Sequence, residues 1–201
     1  MKPRQQRERF VVILSALYAV GKGRNVESWL PFTSDSVRPG RRFLEELFIH
    51  LSLILGFPTM IDGLEKLSRL YPPNSQLPKS TNARNGLAIL RRVYGDQTKK
   101  LLTNLRALHP ELPAWVVKDV YGKVFSRRGM SLRERELCNV VVLSFQNLEK
   151  QLRSHIRGAQ RAGMSLPDLR KALLLAQRVT GRRELRAIEL LRPVVSQKKK
   201  T

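Results

Sequence analysis

Two stretches of this chain open in the same way. Residues 7–9 read Arg-Glu-Arg and lead into FVVILSALYAV; residues 133–135 read Arg-Glu-Arg and lead, after Glu136, into LCNVVVLSF. A second correspondence follows each: FLEELFIHLSLILGFP (43–58) aligns with DLRKALLLAQRVTGRR (168–183). Such self-similarity constrains the fold more than any composition can, because one supersecondary unit must be built twice. The repeated unit is a central apolar helix followed by a long helix ended by glycine. An apolar run of this kind is expected in a core, and two units packed face to face bury both central helices. The expected architecture is therefore all-α, an internal pseudo-dimer of duplicated helical hairpins.

The rest of the pattern is helical too, with no alternating strand bounded by a hairpin turn. Helices are expected over 4–20, 41–55, 59–70, 84–93, 96–108, 148–162, 167–180 and 182–191. Gly56 and Pro58 separate the second from the third. Leu112, Val116, Val120 and Val124 recur every four residues and predict a core-facing row. Ser131 and Glu134 have the spacing of a capping box before the second central helix. The proline-rich YPPNSQLPKSTN, residues 71–82, divides a first unit (1–70) from a second (83–195), and SQKKKT ends in a basic tail, 196–201.

The charge stands out, with 38 Lys and Arg against 16 Asp and Glu, a formal net of +22. Such a field attracts anions, from small organic acids to nucleic acid. The single cysteine, Cys138, excludes an internal disulfide and a cysteine-based metal cluster. No apolar run reaches the ~18 residues of a transmembrane span. A soluble, cytoplasmic protein without membrane association is expected. The three histidines lack ligand spacing and no Gly-rich phosphate loop is present, so neither metal nor cofactor is expected.

At Tyr121-Gly122, Ser126-Arg127, Gly129 and Ser131-Leu132, and on through Arg135-Glu136-Leu137, Gln151, His155, Ala159 and Gly163, the sequence resembles the carboxymuconolactone decarboxylase family. That family includes the alkyl hydroperoxidase D-like proteins. The match is strong over residues 111–185 and weak before them. It implies an all-α fold that assembles through helical hairpins into trimers or hexamers; for a two-unit chain, a trimer. It implies Glu136 and His155 as the active-site acid and histidine. The thiol pair of the peroxidase branch falls on Leu148 and Gln151, so thiol peroxidase chemistry lacks both its thiols.

Helical spacing places Gln151, Leu152, His155 and Ala159 on one face of their helix, and Lys150, Arg153, Arg157 and Arg161 on the solvated side. His155 and Glu136 are then positioned to exchange protons. Gln151, Arg127, Arg133 and Arg135 are candidates to bind a substrate carboxylate, and Trp29 to line the pocket from the other unit. The first copy carries Phe10 and Trp29 where the second has Glu136 and His155, so it is read as scaffold. The functional expectation is a decarboxylase-like lyase acting on a small anionic acid or lactone. The alternatives are a nucleic-acid or polyanion binder, and a family member without catalysis in which the pair only ties two helices together.

Overall fold

The computed structural model describes residues 3–25, 40–70, 85–183 and 185–191. Trp29, the 71–82 linker and the 196–201 tail lie outside them. Every element among the described residues is helical. The α-helices are α1 (Pro3–Ala19), α2 (Arg41–Leu70), α3 (Gly86–Tyr94), α4 (Thr98–Leu108), α5 (Leu112–Trp115), α6 (Leu132–Phe145), α7 (Glu149–Arg161), α8 (Leu166–Thr180) and α9 (Leu185–Glu189). A π-helix, Val116–Phe125, continues α5.

The two central helices are α1 and α6, and they pack directly on each other. Both are buried over most of their length, from Phe10 to Tyr18 and from Glu134 to Ser144. Around them lie α2, α7 and α8, each against at least one of the two. One continuous core joins Val11, Leu14 and Leu17 to Phe48, Val141, Leu169 and Leu173. Burial of this many apolar side chains, at about 1.5–3 kcal/mol each, is what holds the bundle. A second, smaller cluster gathers Leu90, Val93, Tyr121 and Phe125 where α3 meets the π-helix.

The two Arg-Glu-Arg motifs meet across the α1–α6 contact. Arg7 Nε donates to Glu134 Oε1 at 2.7 Å, and Arg133 Nε donates to Glu8 Oε1 at 2.7 Å. The exchange is reciprocal: each motif gives its first arginine to the other's glutamate. That is the contact pattern of a two-fold interface. Glu134 also closes the predicted capping box, accepting from the Ser131 backbone at 2.7 Å.

Two expectations change. Helix α2 runs from Arg41 to Leu70 and is long and apolar enough to span a membrane by length and composition, where no such run was expected. It is interrupted at Gly56 (φ 81°, ψ 170°), in the left-handed region that glycine adopts without a side-chain clash, so each half is shorter than a span. The row Leu112–Val116–Val120–Val124 is only half-buried. The segment is a π-helix, whose wider turn carries Tyr121, Gly122 and Phe125 into the core instead.

Candidate functional site

The capping box fixes where α6 begins, and so puts Arg135 and Glu136 in its first two turns, facing the core rather than solvent. Both are fully buried. After α6 the chain reverses through Gln146–Leu148, with Asn147 at φ 54°. Helix α7 returns antiparallel along α6 and brings His155 beside the start of α6. Glu136 Oε2 and His155 Nδ1 stand 2.9 Å apart. The close approach depends on Gly158. A Cβ there would meet Glu136 Oε2 at 2.4 Å, well inside contact distance. Glu136 Oε1 is buried and has no hydrogen-bond partner.

The pair continues into a polar chain that crosses to the first half of the molecule. Asn139, one turn beyond Glu136 on α6, places Nδ2 3.2 Å from His155 Nδ1 and Oδ1 2.9 Å from His50 Nε2. His50 Nδ1 faces Arg135 Nη1 at 3.4 Å. Arg135 Nη2 donates to Glu46 Oε2 and to the Arg127 carbonyl, both at 3.1 Å. Arg127 Nε completes the chain with 3.0 Å contacts to both Glu46 oxygens. Burial, helped by the charge of Arg135, pushes the His50 imidazole down to about 3, so it is neutral in the fold. Its ring packs edge-on against Phe125, with centroids 5.0 Å apart. The Tyr94 and Tyr121 rings meet nearby, and burial, reinforced by the Glu136 charge, raises both phenols.

Of the residues expected at the site, Glu136 and His155 come together. Gln151 does not join them. It is exposed at the start of α7, so the expected inward face holds only for Leu152, His155 and Ala159. The three candidate arginines are committed elsewhere. Arg133 bonds Glu8 and the Gly163 carbonyl and lies 3.6 Å from Asp168; Arg127 and Arg135 hold Glu46. Each balances a carboxylate of its own chain, which an unpaired buried charge demands. Glu46, His50 and Asn139 escaped sequence reasoning. Glu46 and His50 share a helical face by their spacing of four, the one signal available. Nothing in the sequence links them to a site 89 residues away.

Leu148 and Gln151, at the positions of the absent thiols, are both exposed. Cys138 is buried against Ser15, whose hydroxyl donates to its sulfur at 3.2 Å, and burial pushes its thiol up to about 12. It is therefore a core residue without thiolate character. A cavity of about 210 Å³ opens beside Leu148, between Leu143, Leu152 and Leu190, without Glu136 or His155 in its lining. Among the described residues no group of three His, Cys, Asp or Glu side chains is placed to hold a metal ion.

The segment that carries this pair also carries the likeness to known proteins. Residues 110–192 match the carboxymuconolactone decarboxylase family. The 4-carboxymuconolactone decarboxylase of Acinetobacter baylyi is 26% identical over 92 residues, 45% of this chain and 69% of that protein. Peroxisomal protein 2 of Schizosaccharomyces pombe is 25% identical over 145 residues, 68% of each chain. Peroxisomal protein 2 of Saccharomyces cerevisiae is 30% identical over 80 residues, 39% of this chain but 28% of that one. Two relatives named for the peroxisome overturn the cytoplasmic expectation. Cysteine content and hydropathy separate soluble from secreted or membrane-spanning chains, but not one intracellular compartment from another, because organelle addresses are read by receptors. Residues 110–192, which hold Glu136, His155 and the capping box that positions them, are the part of this chain that matches the carboxymuconolactone decarboxylase family.

Proposed function

We propose that this protein is a peroxisomal decarboxylase-like lyase acting by acid–base chemistry on a small organic acid or lactone. The observation that carries the reading is the 2.9 Å contact between a fully buried Glu136 and a partly open His155. A proton can move along that contact, and His155, reaching solvent, can pass it on to a bound molecule. In a decarboxylation the carbon–carboxylate bond breaks, CO₂ leaves with no electrons from that bond, and the pair stays on carbon. His155 supplies the proton that this carbon takes up, and Glu136 restores it. The net charge of +22 favours entry of an anionic substrate. The peroxisomal assignment rests on the names of the two fungal relatives.

The test is a screen of small carboxylates and γ-lactones, 4-carboxymuconolactone among them, for CO₂ release by the wild-type chain. Replacing the dyad histidine, His155→Ala, is expected to cut the rate by about 10²–10⁴, the usual contribution of one acid–base group. Full activity in a folded His155→Ala variant, or no turnover of any compound in the class, overturns the reading.

A further inference from the structure

We propose that the corner where α4 meets α5 docks on an anionic lipid surface, with Leu108 and Trp115 entering the headgroup layer. Helix α4 carries Leu101, Leu105 and Leu108 in one row, at spacings of four and three. The row starts under cover, where Leu101 packs part-buried against the small cluster of Leu90, Val93, Tyr121 and Phe125. It ends in the open, with Leu108 77% exposed. Residues 106–111 are exposed without a break, so the corner projects from the bundle. Trp115 is also exposed, and its indole stacks on the His109 ring, with centroids 5.6 Å apart and planes 25° from parallel. His109 Nδ1 accepts from the Glu111 backbone at 3.2 Å, which holds that ring in place. Two large apolar side chains thus stand in solvent on a fixed turn.

The charge around them has one sign. Between Gly86 and Phe125 seven Lys and Arg stand against three carboxylates, and all seven cations are exposed. One of the three carboxylates, Asp119, is taken up by Lys123 at 2.7 Å. Arg106 lies two residues before Leu108, and Lys118 follows Trp115 by one turn. An apolar tip in a basic surround complements an acidic bilayer, whose phosphates meet the cations while the acyl boundary takes the Leu and Trp side chains. Trp in particular favours that boundary. Nucleic acid would use the cations but gain nothing from Leu108, and His109 already covers one face of the Trp115 indole that a base would stack on. A protein partner of ordinary size needs about 800 Å² on each side, which suits a broad face rather than a projecting corner. Docking of this kind needs no spanning helix, so the hydropathy from which no membrane association was expected is silent on it.

The experiment is cosedimentation of the full chain with phosphatidylcholine vesicles that contain phosphatidylserine, set against vesicles of phosphatidylcholine alone. Beside it runs the emission of Trp115, made the sole tryptophan of the chain by Trp29→Phe. The expected result is binding to the phosphatidylserine vesicles only, with a blue shift of Trp115. Leu108→Glu changes an exposed side chain and leaves the core alone, so helical content should hold while binding weakens about tenfold or more. Arg106→Gln and Lys118→Gln should each weaken it about fivefold. Should Trp29→Phe not fold, cosedimentation of wild type and Leu108→Glu decides without it. No binding to phosphatidylserine vesicles overturns the proposal, as does binding that Leu108→Glu leaves unchanged. Equal binding to both vesicles removes the anionic headgroup as the attraction and overturns it too. A blue shift on concentrating the protein without lipid makes the corner a self-association surface instead. Duplex DNA bound through Arg106 and Lys118, with the vesicles left unbound, makes nucleic acid the partner. The readout needs no substrate, so it succeeds or fails independently of the decarboxylase screen.

Discussion

His50 is the residue at which burial has a consequence that pH can test. It is closed off from solvent, with Arg135 on one nitrogen, Asn139 on the other and Phe125 against its ring. Burial is the main reason that its folded-state value falls to about 3 from 6.5, and the Arg135 charge adds to it. Between those two values the unfolded chain binds a proton that the folded chain does not. Stability contributed by neutral His50 is therefore complete above about pH 6.5 and is lost as the pH falls towards 3. At pH 4.5 the loss from this group alone is about 2–3 kcal/mol. Gln at position 50 removes the titration while keeping an amide able to donate to Asn139. Urea unfolding at pH 7 and pH 4.5 should show wild type losing about 2–3 kcal/mol more than His50→Gln over that interval. Equal losses would mean that His50 takes up its proton in the folded protein without cost.

At the level of the elements, α1 and α6 explain why the opening repeat was informative and where it stopped. A three-residue motif before an apolar run was enough to identify two buried helices, since no solvated helix tolerates the unbroken stretch from Val140 to Leu143. Helical periodicity on α7 was enough to turn His155 inward and Arg153, Arg157 and Arg161 outward. The π-helix was not legible, because its Leu-Val-Val-Val row fits an ordinary helix equally well and the wider turn depends on tertiary contacts with α3. The role of His50 was not legible either, since it depends on α2 lying across α6. The reciprocal Arg7–Glu134 and Arg133–Glu8 pairs offer a test of the proposed duplication, in which one ancestral contact now occurs twice. Double-mutant cycles on the two pairs should each give a coupling of about 0.5–3 kcal/mol. The half-exposed Arg7 belongs at the lower end of that range, because solvent screens it. Couplings near zero in both would leave apolar packing alone responsible for the α1–α6 register, and the repeated motif without a structural purpose.

For the molecule as a whole, the face around the Gly56 kink is an apolar surface that the other described residues leave largely uncovered. Only 28% of the most apolar window of α2 is buried, Phe57 is 69% exposed and Ile61 is 51% exposed. Contiguous apolar surface of this sort marks an interaction site in a soluble protein. A bilayer-spanning role is a poor fit, because the kink divides the helix and its first half packs on α6 and the π-helix within the bundle. Self-association answers both facts, and the proposed assembly is a homo-oligomer with a trimer favoured. Light scattering coupled to size exclusion should then give a mass of about three times the 23.1 kDa chain at micromolar concentration. Phe57→Glu and Ile61→Glu place carboxylates on the face without touching the core, so the double variant should elute as a monomer with its helical content intact. A wild-type chain that runs as a monomer removes self-association as the reason for the exposed face. A variant that stays oligomeric moves the interface away from α2, and the apolar window would then need another partner to cover it.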